Sequence, residues 1–181
     1  RLDARVREPL EYYGQLSAFS IALEQLLAFH EFTGEKKYLD TAELIFEDGI
    51  LFAEEYLGNT GFFGIEGGKQ NLFPIVRLLR PLMRMHQVRG DTRALSLLLR
   101  ILAWVKDDGY AGTGIMINDR YMPLSLPYHW VVRDIGRHGD EWFIPYNFFT
   151  CDAYAYAFRQ TGEPSYMVFA RELYRDSTLF Y

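Results

Sequence analysis

The sequence predicts an all-α protein built from antiparallel helical hairpins. Apolar residues recur at the spacing of a helix that buries one face, as Leu16, Phe19, Leu23 and Leu27 do near the start of the chain. A short motif that ends one helix and opens the next occurs three times. With 49% hydrophobic and 24% charged residues, the 181-residue chain has the composition of a globular domain and not of a disordered one.

The repeated motif is centred on Gly34, Gly90 and Gly162. Each glycine follows an apolar helical pattern, and an acidic residue comes directly after it. Glycine ends helices because it adopts the left-handed conformation that closes the last turn, so each motif predicts a helical hairpin. The glycines are 56 and 72 residues apart, which differs from the nearly constant period of about 34 residues in tetratricopeptide repeats.

The elements follow from this pattern in chain order. We expect helices over residues 15–33, 35–56, 70–88, 91–107, 147–160 and 165–176. Pro81 predicts a kink or a restart in the third helix, and Asp91 is the expected N-cap of the fourth. Residues 58–68 are rich in glycine and predict a loop. Residues 109–146 lack a helical period and predict an irregular insert, with a small β-hairpin around Asn118-Asp119.

The composition of the chain also limits the classes of partner and of site that we expect. A net charge of −5 gives no electrostatic reason to expect nucleic acid or an anionic membrane surface. No apolar run approaches the roughly 18 residues that a membrane-spanning helix needs. The single Cys151 excludes an internal disulfide framework and a multi-cysteine metal site. We expect no metal and no cofactor, and the sequence leaves the cellular compartment open.

The turn motif is similar to one found in a known group of helical-hairpin proteins. Gly34 and Gly162 begin a Gly-(Asp/Glu)-x-x-Tyr-x-x-x-Ala pattern between helices rich in leucine and aromatic residues. Over residues 15–177 this resembles the α/α-toroid (six-hairpin) carbohydrate-active enzymes, which include glycoside hydrolases and the helical domains of polysaccharide lyases. The resemblance implies about three hairpins of an (α/α)-toroid-like domain, which is half of a six-hairpin ring. Since the sequence opens at Arg1 without a methionine, we interpret residues 1–181 as a single domain that is a fragment, a processed chain or part of an incompletely sequenced protein. The rest of a larger chain or a partner subunit is then an expected partner.

The insert at 109–146 is the candidate substrate site. It is much longer than the usual connection of about 4–6 residues, and long ordered connections are often functional. Tyr121, Trp130 and Trp142 lie in it, and such aromatic faces stack on the C–H faces of sugar rings. We therefore expect a polysaccharide or oligosaccharide substrate. The alternative is a packed insert whose aromatic residues only cover the helices.

Two reactions remain open. Asp134, Asp140 and Glu141 are the candidates for the acid and base of a glycoside hydrolase, which needs two carboxyl groups with different pKa values. His129 and His138, with a nearby tyrosine, are the candidates for a lyase that removes the proton next to a uronate carboxylate. Arginine or asparagine would then neutralise the developing charge. A third possibility is a non-catalytic helical domain that packs against a catalytic or β-sandwich partner.

The glycine-rich connection before the third helix supplies further candidates, Glu66, Lys69 and Asn71. A helix N-terminus together with a lysine can bind an anion such as a uronate carboxylate. Because successive connections between hairpins leave the same end of the domain, we expect these residues to share one rim with the aromatic insert. His30 and His86 both lie in the last turn of a helix, where we expect a structural role in bonding free carbonyl groups.

Overall fold

The computed structural model describes residues 9–57, 69–106, 115–117, 120–122, 129–131 and 145–178. Six helices make up most of this part: α1 (Pro9–Thr33), α2 (Lys36–Leu57), α3 (Leu72–Arg89), α4 (Thr92–Trp104), α5 (Pro145–Thr161) and α6 (Pro164–Thr178). Four strands of three residues each accompany them: β1 (Lys69–Asn71), β2 (Ile115–Ile117), β3 (Arg120–Met122) and β4 (His129–Val131). The described part of the chain is therefore all-α in class, as the sequence predicts. Within it, no helix combines the length and the apolar character needed to cross a membrane.

The three predicted turns are confirmed. Gly34, Gly90 and Gly162 have φ angles of 71°, 67° and 72°, in the left-handed region that favours glycine. The backbone N–H of each donates to the carbonyl oxygen four residues earlier at 2.8 Å. These bonds satisfy a carbonyl at the end of each first helix and reverse the chain. The structure thus contains hairpin 1 (α1 and α2), hairpin 2 (α3 and α4) and hairpin 3 (α5 and α6).

The first and third turns also share their side-chain hydrogen bonds. Thr33 Oγ1 donates to the Phe29 carbonyl at 2.7 Å and accepts from the Glu35 N–H at 3.1 Å. Thr161 Oγ1 makes the equivalent bonds at 2.8 and 3.2 Å. The Thr-Gly-Glu sequence that the two turns share therefore encodes the same local structure twice.

The first helices of the hairpins pack side by side. Helix α3 contacts both α1 and α5, whereas α2 packs on α1, α6 packs on α5, and α4 contacts α3 and α5. The side chains that fill the space between them are almost completely buried: Leu23, Leu27, Phe46, Leu79, Leu82, Leu98, Ile101, Tyr154 and Leu173. One contiguous apolar core therefore joins all three hairpins.

Helix α3 continues through Pro81, so the predicted restart at this residue is wrong. Proline in a helix interior costs about 3 kcal/mol because it removes a backbone hydrogen bond and crowds the preceding turn. Pro81 is buried, and Leu78, Leu79 and Leu82 around it are buried in the core between α1 and α5. This burial stabilises the helix against the local cost.

Candidate functional site

The connections that precede α3 and α5 meet in a short antiparallel sheet. Strand β1 comes directly before α3, and β4 lies in the insert before α5. In their backbone register Asn71 is opposite His129, Gln70 is opposite Trp130, and Lys69 is opposite Val131. The structure therefore brings together four residues that the sequence marks as site candidates: Lys69, Asn71, His129 and Trp130.

The insert also contains the expected hairpin. Strands β2 and β3 pair antiparallel, with Ile115 opposite Met122 and Ile117 opposite Arg120. Tyr121 lies on β3 and is opposite Met116. This candidate therefore belongs to a two-stranded sheet of its own and not to the sheet of β1 and β4.

The other candidates lie outside the described residues: Glu66, Asp134, His138, Asp140, Glu141 and Trp142. Among the residues that are described, no group of three or more His, Cys, Asp or Glu side chains could hold a metal ion. Cys151 is partly buried, and its Sγ donates to the Ala170 carbonyl at 3.5 Å. Burial raises the pKa of this thiol to about 12, so it stays protonated and is not a nucleophile at neutral pH.

The two described helical histidines have different partners. His30 Nδ1 lies 3.2 Å from the Glu35 carbonyl oxygen across the hairpin turn. His86 Nδ1 lies 2.6 Å from the Tyr156 hydroxyl, and the two rings meet edge to face. The prediction of a bond to a free carbonyl is therefore wrong for His86, because the packing of α5 on α3 brings a phenol within reach. Burial raises the pKa of Tyr156, so its hydroxyl stays protonated and the pair connects α3 to α5.

A charged groove lies where hairpin 2 meets hairpin 1. Its volume is about 420 Å³, and its apolar floor includes Phe46 and Met85. We call it the joint groove and define it by the residues that line it: Asp40, Glu43, Leu44, Phe46, Glu47, Met85, Arg89, Asp91 and Arg93. Four of these residues come from the end of α3 and the start of α4, so the turn of hairpin 2 forms one wall.

Arg93 organises the charges of the joint groove. Its Nη1 donates to Glu47 Oε2 at 2.8 Å, and its Nη2 donates to Asp91 Oδ2 at 2.7 Å. Asp91 is also the N-cap of α4, as predicted, because its Oδ1 accepts from the Arg93 backbone N–H at 2.8 Å. The guanidinium group lies 5.7 Å from the centre of the Phe46 ring, within range of a cation–π contact.

These contacts decide what the groove can do chemically. Hydrogen bonds from Arg93 lower the pKa of both Glu47 and Asp91, so the two carboxylates stay ionised. Glu43 is paired with Arg89. Glu47 and Asp91 therefore do not supply the proton donor of an acid–base pair, and the ion pairs of Arg89 and Arg93 connect hairpin 2 to hairpin 1. The sequence contains one signal of these ion pairs: Glu43 and Glu47 are four residues apart, as their partners Arg89 and Arg93 are.

The Arg93 contacts predict a pH dependence of stability. Because the pKa values of Glu47 and Asp91 are lowered on folding, the unfolded chain binds more protons than the folded chain in the acidic range. Their contribution is present above about pH 4, the unfolded value, and is lost as the pH falls further. We expect Arg93→Gln to cost up to about 1 kcal/mol at about pH 7 and much less at about pH 3.

Urea unfolding of wild type and Arg93→Gln at several pH values measures this difference. Arg171→Gln, which changes an exposed arginine far from the joint groove in sequence, is the matched control. A cost of Arg93→Gln that is equal at both ends of the pH range would contradict the assignment.

No family model matches the chain, and neither the curated proteins nor the solved structures contain a match to it. The basis for a function is therefore the set of residues and contacts described above.

Proposed function

We propose that the chain is a carbohydrate-active domain that binds a polysaccharide or oligosaccharide at the sheet of β1 and β4. The observation that carries this proposal is the antiparallel register of β1 with β4, which sets Asn71 opposite His129 beside Trp130. Two separate connections of the chain meet there, and each of them contains candidate residues of its own. The reaction is cleavage of a glycosidic bond, either by hydrolysis or by β-elimination.

The residue types at this sheet suit such a substrate. An indole offers an apolar face to a sugar ring, and amide and ammonium groups bind hydroxyl or carboxylate oxygens. Helix α3 begins at Leu72, directly after Asn71, and the N-terminal end of a helix favours a negative group such as a uronate carboxylate. His129 is the candidate that exchanges a proton with the substrate.

The packing of the helices supports a toroid-like arrangement. Helices α1, α3 and α5 contact one another in succession, and α2 and α6 pack on the first helix of their own hairpins. This order suits an inner layer of odd-numbered helices and an outer layer of even-numbered ones. The connections 58–68 and 107–144 then both lead to the N-terminal ends of inner helices, which is the rim where the proposed site lies.

Hydrolysis and β-elimination require different catalytic residues. In a hydrolase, Asp134, Asp140 and Glu141 supply the acid and the base. In a lyase, His129 or His138 removes the proton next to the uronate carboxylate, and a cationic or amide side chain stabilises the anion that forms.

Turnover assays on neutral and uronate polysaccharides test the proposal. Both reactions create reducing ends, whereas only elimination creates a conjugated double bond that absorbs ultraviolet light. We expect His129→Ala or Asn71→Ala to lower kcat/KM by about 100-fold or more. Arg93→Gln, in the joint groove, is the control and is expected to keep full activity.

Circular dichroism of each variant separates loss of activity from loss of fold. Unchanged turnover in His129→Ala and in alanine variants of Asp134, His138, Asp140 and Glu141 would exclude these residues as the catalytic groups. The non-catalytic candidate has its own support in the large exposed apolar side chains of hairpins 1 and 3, such as Phe32 and Tyr174. Oligosaccharide binding without turnover on any substrate would favour that candidate.

A further inference from the structure

We draw no further inference here: the strongest candidate, the exposed apolar patch that Ile21, Phe29 and Phe32 form on α1 of hairpin 1, carries no proposal because nothing in the structure shows what covers it.

Discussion

Replacing Tyr154 with alanine is expected to destabilise the fold by about 3–5 kcal/mol. The side chain is fully buried, and its ring meets the Phe169 ring edge to face with 4.8 Å between centroids. Its hydroxyl donates to the Leu102 carbonyl at 2.6 Å, near the end of α4. Truncation therefore leaves a large cavity in hairpin 3 and removes a hydrogen bond to hairpin 2. Urea unfolding followed by circular dichroism measures the loss.

Two further variants separate the packing of Tyr154 from its hydrogen bond. Tyr154→Phe keeps the ring and is expected to cost about 1 kcal/mol, because only the hydroxyl is removed. Tyr174→Ala, at an exposed tyrosine of the same hairpin, is the matched control and is expected to change stability by about 0.5 kcal/mol or less. A cost below about 1 kcal/mol for Tyr154→Ala would contradict the packing described here.

Replacing Gly49 with alanine is expected to cost about 1–3 kcal/mol, the opposite of the usual effect in a helix. Alanine normally favours a helix over glycine by up to about 1 kcal/mol. In α2, however, a Cβ atom on Gly49 would overlap the ring of Phe19 on α1. The Phe19 ring has to move away from the backbone of α2, and its own contact with that helix is weakened.

A double-mutant cycle identifies the cause of the Gly49 effect. In a Phe19→Ala background the ring is absent, so we expect Gly49→Ala to be neutral or stabilising. Thermal unfolding of the four proteins in the cycle measures the coupling between the two residues. If Gly49→Ala destabilises both backgrounds equally, its cost does not come from the Phe19 ring.

The local parts of the fold could be predicted from the sequence because their causes are local. Gly34, Gly90 and Gly162 each adopt the conformation that glycine favours most, and Asp91 caps the helix that it precedes. The restart that local preference predicts at Pro81 does not occur, because the buried packing of this segment outweighs that preference.

The candidate site could be predicted only in part. Connections between successive hairpins leave the same end of the domain, and this follows from chain order alone. The register that sets Asn71 opposite His129 cannot be derived from chain order, because strands this short carry no pattern that selects one pairing over another. The partner of His86 was also beyond sequence reasoning, since Tyr156 lies 70 residues away in the chain.

The sequence by itself determined the class of the protein, the three hairpins and the residues that end each first helix. These features depend on backbone preferences and on apolar spacing within a few turns of helix. Only the tertiary structure decided which side of each hairpin is covered. That outcome depends on contacts between distant segments, since Phe46 and Tyr174 each lie 12 residues after a turn glycine, yet Phe46 is buried and Tyr174 is exposed.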